Sequence, residues 1–152
     1  MLMSVFRKIA ESVENSIEYT MQDLGNRIAR DARDNLISAG HVDTGALRDS
    51  IRAETVRDGN IVTTYIYADA ESDDGTLYGE FIELGSGAAH GRPGGRVGTW
   101  RYQDRQGKWH TTDGMDADPF MAPAVDANIA EFTHNLTEVL EDIAKYGRGQ
   151  TT

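Results

Sequence analysis

The tetrapeptide Asp43-Thr44-Gly45-Ala46 is the first stretch of this 152-residue chain whose residue types could carry out chemistry. Aspartic peptidases use such a sequence, and in their dimeric forms two chains each supply one carboxylate to a shared dyad. The peptidase loop needs a preceding apolar strand, whereas here a helical pattern ends at Gly40 and residues 47–51 read as a helical turn. We therefore predict that Asp43 or Thr44 caps a short helix. A dimeric peptidase acting through Asp43 is kept as the alternative function.

Three further patterns fall short of a binding site. Residues 85–91 have the glycine spacing G-x-G-x-x-x-G, one residue off the dinucleotide fingerprint, and no βαβ pattern surrounds them. The four histidines lack the i, i+4 pairing of metal-binding helices. Asp116 and Asp118 match the start of a calcium loop, but the required Gly and closing Glu are missing. We expect no cofactor and no metal ion.

Residues 100–112 combine aromatic and basic side chains, with Trp100, Tyr102 and Trp109 beside Arg101 and Arg105. Such a surface can stack single-stranded nucleic acid, but aromatic pairs across a hairpin also stabilise the hairpin itself. The turn signal at 105–107 predicts a basic hairpin. Because a two-stranded ribbon is only marginally stable alone, this one needs sheet neighbours or a partner.

The charges are segregated along the chain. Fifteen basic and 25 acidic residues give a net charge of −10, which argues against a general nucleic-acid binder. Residues 69–83 hold six acids and no base, residues 85–112 carry a net charge of +4, and residues from 113 onward carry −6. Such blocks can form complementary contacts between copies or with neighbouring proteins. An ordinary mixed solvated surface is the other interpretation.

The chain contains no Cys, which excludes disulfides, thiolate zinc sites and cysteine nucleophiles. No apolar run approaches the ~20 residues of a membrane span, and the first residues lack the apolar core of a signal peptide. We therefore expect no membrane partner and maturation in the cytoplasm.

One long apolar stripe predicts a helix over residues 4–39, with Gly25 as a candidate kink and Gly40 at its end. A helix of this length exceeds what one small core can cover, so part of the stripe should pack on something else. The stripe consists of Phe6, Ile9, Val13, Ile17, Met21, Leu24, Ile28, Ala32 and Leu36.

The remaining segments predict an α+β domain spanning residues 1–152. A short helix and a β-hairpin turning at Asp58-Gly59-Asn60 occupy 45–68, and a helix opened by Asp118-Pro119 occupies 119–146. A glycine-rich, flexible loop at 85–98 and the basic hairpin form an extended arm over 85–113. We expect both long helices to pack on a small antiparallel β-sheet.

Three motifs occur in a fixed order: Asp43-Thr44-Gly45-Ala46-Leu47-Arg48-Asp49-Ser50-Ile51, then Tyr78 to Gly87, then Asp118-Pro119-Phe120-Met121-Ala122-Pro123-Ala124. Together they resemble the tail-completion or neck family of tailed bacteriophages and related viruses, whose pattern reads D-T-G-x-L-R-x-S-I, Y-x-x-x-x-E-x-G-[TS] and P-F-L-x-P-A. The resemblance covers about residues 5–145. Leu84, Ser86 and Met121 depart mildly from that pattern.

The resemblance implies a non-enzymatic virion protein of the neck or tail end, assembled in the host cytoplasm as a ring, with a hexamer expected. Its partners would be sister copies and neighbouring neck or tail proteins (head closure, tail terminator or tail tube). DNA would pass through the lumen without specific binding. Which ring of the neck the chain forms stays open.

The family motif would shape the subunit. Asp43, Thr44 and Gly45 would form the turn after the long helix, with Leu47 and Ile51 in the core and Ser50 between them. Glu83 and Gly85 would fix the turn into the loop, and four residues would seat the last helix: Pro119, Phe120, Pro123 and Ala124. The arm would contact an acidic surface of a neighbour through Arg92, Arg96, Trp100, Arg101, Arg105, Lys108 and Trp109.

Overall fold

A computed structural model describes residues 2–72, 75–104 and 106–148, the side chains of 2–13, 139–140 and 142–148 excepted. Helices α1 (Leu2–Ser38) and α2 (Ala46–Ser50) are followed by strands β1 (Ile51–Asp58) and β2 (Ile61–Ala68). Next come helix α3 (Gly79–Leu84), a 3-10 turn (Ala88–His90), strands β3 (Trp100–Gln103) and β4 (Trp109–Thr112), and helix α4 (Met121–Arg148). The predicted α+β class is confirmed, with two separate two-stranded antiparallel sheets.

The long helix α1 ends where the sequence predicts. Gly40 has a φ of +77°, a conformation that glycine adopts without strain. The N–H of His41 donates to the carbonyl of Leu36 at 3.1 Å, which satisfies one of the last carbonyls of the helix.

Strands β1 and β2 form a hairpin in which Ile51 pairs with Ala68 and Asp58 with Ile61. Helix α1 lies across one face of this hairpin and continues through Gly25 as one helix. A Cβ at Gly25 would lie 2.5 Å from Cγ2 of Thr64 and 3.0 Å from Cβ of Ala53. Gly25 therefore leaves room for the hairpin to lie close against the helix.

Helix α4 runs antiparallel to α1. Asn35 donates to the carbonyl of Phe120 at 3.0 Å, and Arg27, two turns earlier in α1, pairs with Glu131 at 3.0 Å. Helices α1, α2 and α4, the start of β1 and two residues between elements build a common core, which consists of Leu24, Ile28, Ala29, Ala32, Leu36, Leu47, Ile51, Ala70, Phe120 and Ala124.

Two segments differ from the sequence-based prediction. Helix α3 was not predicted, because six residues are too few to show a helical repeat. The glycine-rich loop, expected to be flexible, is held by main-chain hydrogen bonds: Ala88 N–H to Arg96 O at 2.9 Å and Gly95 N–H to Arg92 O at 3.0 Å. Its buried glycines allow close backbone approach, and a Cβ at Gly87 would lie 2.0 Å from the carbonyl oxygen of Asp113.

Candidate functional site

The second and third family motifs meet at the start of α4. The half-buried carboxylate of Glu83, at the end of α3, accepts hydrogen bonds from the N–H groups of Phe120 and Met121 at 2.8 Å and of Ala122 at 2.9 Å. The first N–H groups of a helix have no partner within the helix and carry a partial positive charge, so a carboxylate there is stabilising. Glu83 therefore caps α4 from a distant part of the chain.

Gly85 and Phe120 complete this junction. Gly85 has a φ of +72°, and a Cβ there would lie 2.8 Å from the carbonyl oxygen of Met115 and 2.9 Å from the nitrogen of Ala117. The N–H of Asp118 donates to the carbonyl of Ile82 at 2.8 Å. The segment at 82–85 therefore lies directly against residues 115–118. Just beyond it, Phe120 and Ala124 are buried beside α1. Pro119 and Pro123, which directly precede these two buried residues, are exposed.

The first motif builds the other end of the core. Leu47 and Ile51 are buried, and the hydroxyl of Ser50 donates to Leu47 O at 2.8 Å while accepting from Ala70 N–H at 3.2 Å. The cap position of α2 is Gly45, with a φ of +85° and no side-chain cap. The N–H of Ala46, the first residue of α2, donates to the hydroxyl of Thr44 at 3.3 Å. Thr44 therefore supports the start of this helix from the residue before the cap, and Gly45 supplies the left-handed backbone that the turn requires.

An open cleft of about 740 Å³ lies beside this motif. Its lining includes Asp43 together with the apolar side chains of Val42, Tyr78, Ile82 and Met115. Asp43 follows the end of a helix, not a strand. Across the cleft, the hydrogen bond from His110, together with the main-chain N–H groups of Lys108 and Gln106, lowers the pKa of Asp104. Asp104 therefore holds the turn between β3 and β4.

The arm begins and ends at one point. Ser86 and Met115 form an isolated antiparallel bridge, with N–H to carbonyl distances of 2.8 and 3.0 Å. Next to it, His90 bonds to Asp116 through Nδ1 at 2.8 Å and to Asp113 through Nε2 at 3.1 Å. These two hydrogen bonds raise the pKa of His90, because both ring nitrogens can donate only in the imidazolium form. His90 is therefore a clasp across the base of the arm.

The predicted arm residues lie in different places. Arg92 binds the carboxylate of Glu80, donates to Gly85 O at 2.9 Å and covers the ring of Phe81, which fixes the loop on α3. Arg96 lies over the ring of Trp100, with 5.2 Å between the guanidinium carbon and the ring centre. Arg105 lies outside the described residues, and Lys108 is exposed.

Strands β3 and β4 form the predicted basic ribbon, in which Tyr102 pairs with His110 and Gln103 with Trp109. Side chains alternate across a strand. One face carries Trp100, Tyr102 and His110, and the rings of Tyr102 and His110 stack. The other carries Arg101, Gln103, Trp109 and Thr111, all exposed, with Arg101 5.1 Å from the centre of a Trp109 ring.

Two structural residues, Asn128 and His90, were missed by the sequence analysis. Asn128 is buried and donates to Asp31 at 2.8 Å and to Ala124 O at 2.9 Å. Its position four residues after Ala124, on the core-facing side of α4, is the signal that could have revealed it. The roles of Glu83 as a cap and of His90 as a clasp join residues far apart in sequence, for which the chain carries no local signal.

Within 2–72, 75–104 and 106–148, no group of three His, Asp or Glu side chains could hold a metal ion. Among the same residues, no helix combines the length and apolar character needed to cross a membrane.

Comparison with known proteins identifies a family. Residues 2–85, more than half of the chain, match the HK97-gp10-like family model, described as "Bacteriophage HK97-gp10, putative tail-component". No curated protein and no solved structure shows significant similarity to the chain. The matched region contains α1, the first motif, the β1–β2 hairpin and the capping residue Glu83. The chain therefore belongs to the HK97-gp10-like family of phage tail components, which are structural proteins of the virion.

Proposed function

We propose that this chain is a non-enzymatic subunit of the head–tail connector, and that it assembles as a ring, expected to be a hexamer, which joins a DNA-filled head to a tail. Its partners would be sister copies and the adjacent neck or tail ring. The family supplies the setting, a tail component of a phage particle. The observation that supports the assembly role is the exposed apolar and aromatic surface on the β1–β2 hairpin and on the β3–β4 ribbon.

This surface lies on the two two-stranded sheets, β1–β2 and β3–β4. Ile61 is 67% exposed on β2, and Trp109 is 56% exposed on β4. A two-stranded sheet is marginally stable alone, and large apolar side chains clustered on one are typical of a surface that binds protein. These features support a subunit that its neighbours complete.

The same proposal includes passage of DNA through the ring. Acidic residues facing the lumen would keep DNA from adhering, because like charges repel. Among the acids outside the helices, Asp69, Glu71, Asp113, Asp116 and Asp118 are exposed and could line such a passage. A basic lumen in a reconstructed particle would contradict this part of the proposal.

The proposal is tested by genetic complementation of a virus that lacks this gene. We expect DNA-filled heads and separate tails to accumulate, and electron microscopy to show joined particles when the wild-type chain is supplied. The variant Asp43→Asn should restore joining as well as the wild type, since no carboxylate chemistry is required. Joined, infectious particles without the gene would overturn the proposal, and failure of Asp43→Asn with normal folding would favour a peptidase.

A further inference from the structure

We propose that the outward face of the β3–β4 ribbon binds, face to face, the outer face of the β1–β2 hairpin of a second copy of this chain. The ribbon face is defined by Arg101, Gln103, Trp109 and Thr111. The hairpin face is defined by Arg52, Glu54, Val56 and Asp58 on β1 and by Ile61, Thr63, Tyr65 and Tyr67 on β2. The inference names the contact that builds the proposed ring and rests on that proposed function.

The ribbon face is basic, aromatic and uncovered. Arg101 lies over Trp109, so the cation and the ring present one continuous surface. Lys108, exposed beside Trp109, adds a second positive charge. Strands β3 and β4 pair with each other and make little contact with the described helices or with the hairpin. One end of the ribbon, at Gln103 and Asp104, lines the cleft beside α2. Tryptophan and arginine are the residues most enriched at the centres of protein interfaces.

The hairpin face is the side of the sheet that α1 leaves open. Helix α1 covers the opposite side, where Ala53 and Thr64 approach Gly25. On the open side the rings of Tyr65 and Tyr67 stack with their centres 6.2 Å apart. Val56, Ile61 and Tyr65 are each at least 44% exposed. This is an aromatic and β-branched sheet surface of the kind that packs against another sheet.

The two faces have opposite charge. The ribbon face carries Arg101 and no acid. On the hairpin face Arg52 is bound by Asp69 at 2.6 Å, which leaves Glu54 and Asp58 to make the surface net negative. Charge complementarity of this kind fixes the register of an interface and speeds encounter.

A second copy is the occupant because one chain carries both halves of the contact. An interface between two different surfaces of the same subunit repeats head to tail, and it closes into a ring when the rotation between subunits permits. Stacked sheets lie about 10 Å apart, a separation that Trp109 and Tyr65 can fill. Single-stranded nucleic acid would suit the ribbon face alone but leaves the acidic hairpin face without a partner.

The test is a charge exchange in the full-length chain, with self-association measured by analytical ultracentrifugation across protein and salt concentrations. Arg101→Glu and Glu54→Arg should each weaken association about tenfold or more, because each places like charges opposite one another. An equimolar mixture of the two variants should associate again, since every mixed contact is then complementary. The double variant should do the same.

Three controls make the outcome decisive. Glu138→Arg makes the same charge change on an exposed position of α4 and should leave association unchanged. Trp109→Ala should weaken association without the salt dependence of the charge variants. Thermal unfolding of every variant should match the wild type, because all the altered side chains except Glu138 lie on the exposed ribbon and hairpin faces.

Several outcomes would overturn the inference. They are a wild-type chain that stays monomeric at every concentration, charge variants that associate like the wild type, and a mixture that fails to recover. A further contradicting outcome concerns nucleic acid. If Arg101→Glu and Trp109→Ala abolish binding of a fluorescent oligothymidine but leave self-association intact, the ribbon face binds nucleic acid. The complementation assay with the wild-type gene separates the two proposals, because it can succeed whichever surface the subunits use.

Discussion

At the scale of single residues, the junction at α4 depends on one carboxylate. Glu83 receives three main-chain N–H groups from Phe120, Met121 and Ala122. A side chain from another helix thus does what an adjacent Ser or Asp does at most helix starts. The interaction joins α3 to α4 and thereby fixes where the last helix lies against α1.

Replacing Glu83 with Ala should lower the free energy of unfolding by about 1–2 kcal/mol, the usual cost of a lost N-cap, because the N–H groups lose their acceptor. Glu83→Gln should cost less, since one amide oxygen still accepts. Urea unfolding measures both, with Glu141→Ala, which removes an exposed acid of α4, as a control that should change little. Equal stability of Glu83→Ala and the wild type would contradict the assigned role.

The clasp at His90 should respond to pH. Asp116 and Asp113 raise the pKa of His90, so the stabilisation is complete below the ordinary pKa of histidine and is lost as pH rises through the raised value of the folded protein. Thermal unfolding between pH 5 and 9 should show this loss in the wild type and in His134→Asn. His90→Asn should lack it. A histidine resonance for residue 90 that titrates at or below the ordinary value would contradict the clasp.

Residue-scale roles were the least accessible to sequence reasoning. The motif identified Glu83 and Gly85 as important and placed them at a turn, but their partners are 30 to 39 positions away, at 115–122. Asp43 drew attention because its neighbours match a catalytic tetrapeptide, yet the backbone at Gly45 explains the turn. A local pattern can indicate that a residue matters, and only the fold supplies the atom that it contacts.

At the scale of elements, α1 is the common support of the fold. The hairpin lies on one side of it and α4 on another. The seam, or contact, between α1 and α4 includes a hydrogen bond from Asn128 to Asp31. This hydrogen bond is the main cause that lowers the pKa of Asp31. The seam with the hairpin depends on the absence of a side chain at Gly25.

Gly25→Ala should destabilise the protein although alanine favours a helix by up to about 1 kcal/mol at an exposed site. The added Cβ would meet Cγ2 of Thr64 at 2.5 Å and push the hairpin away. Thr64→Ser removes that methyl group and keeps the hydroxyl that bonds to Met21 and Thr55. The pair of substitutions should therefore recover part of the loss in chemical denaturation, and a stabilising Gly25→Ala would refute the close approach.

Asn128→Leu should destabilise the seam by about 1–3 kcal/mol, because Asp31 and the carbonyl of Ala124 lose a buried donor. With that donor gone, the pKa of Asp31 should rise toward its ordinary value. The loss should be greatest above the ordinary pKa of aspartate and shrink as pH falls, since the protonated Asp31 needs the amide less. Denaturation at pH 7 and pH 3 checks this, and Ala127→Leu, exposed on the same helix, is the control.

The elements themselves were largely predictable. The apolar stripe defined α1, the signal at Asp118-Pro119 located α4 to within two residues, and the β-branched run after Asp58-Gly59-Asn60 defined the first hairpin. The apolar stripe predicts which face of a helix is buried. It does not predict which elements cover that face, here the β1–β2 hairpin and α4. Gly25 was a candidate kink because glycine has a low helix propensity. In the fold, the absence of a side chain at Gly25 makes room for Thr64 and Ala53 of the hairpin.

At the scale of the whole molecule, the arm (85–113) and the rest of the chain, here called the body, are held by different contacts. The body is held by the core that α1, α2, β1 and α4 share. The arm returns to its start at the Ser86–Met115 bridge and is fixed there by His90 and Arg92. Charge reversal on its ribbon should therefore alter assembly and leave the core intact.

Replacing residues 88–112 with a short glycine–serine linker should leave the body folded. The residues that flank the replaced segment meet in space, so a short linker can close the gap at small entropic cost. Circular dichroism should retain the helical signal of α1 and α4, and ultracentrifugation should show loss of self-association. Unfolding of the shortened protein would show that the arm supports the body.

The crossing of the chain at 85 and 115 has a consequence for how such proteins diversify. The family match ends at residue 85, where the excursion starts. A recombination event between viruses can exchange the intervening stretch for one of another length while both cut ends remain side by side. The core that α1, α2, β1 and α4 share would then stay in place while the arm changes in length or surface.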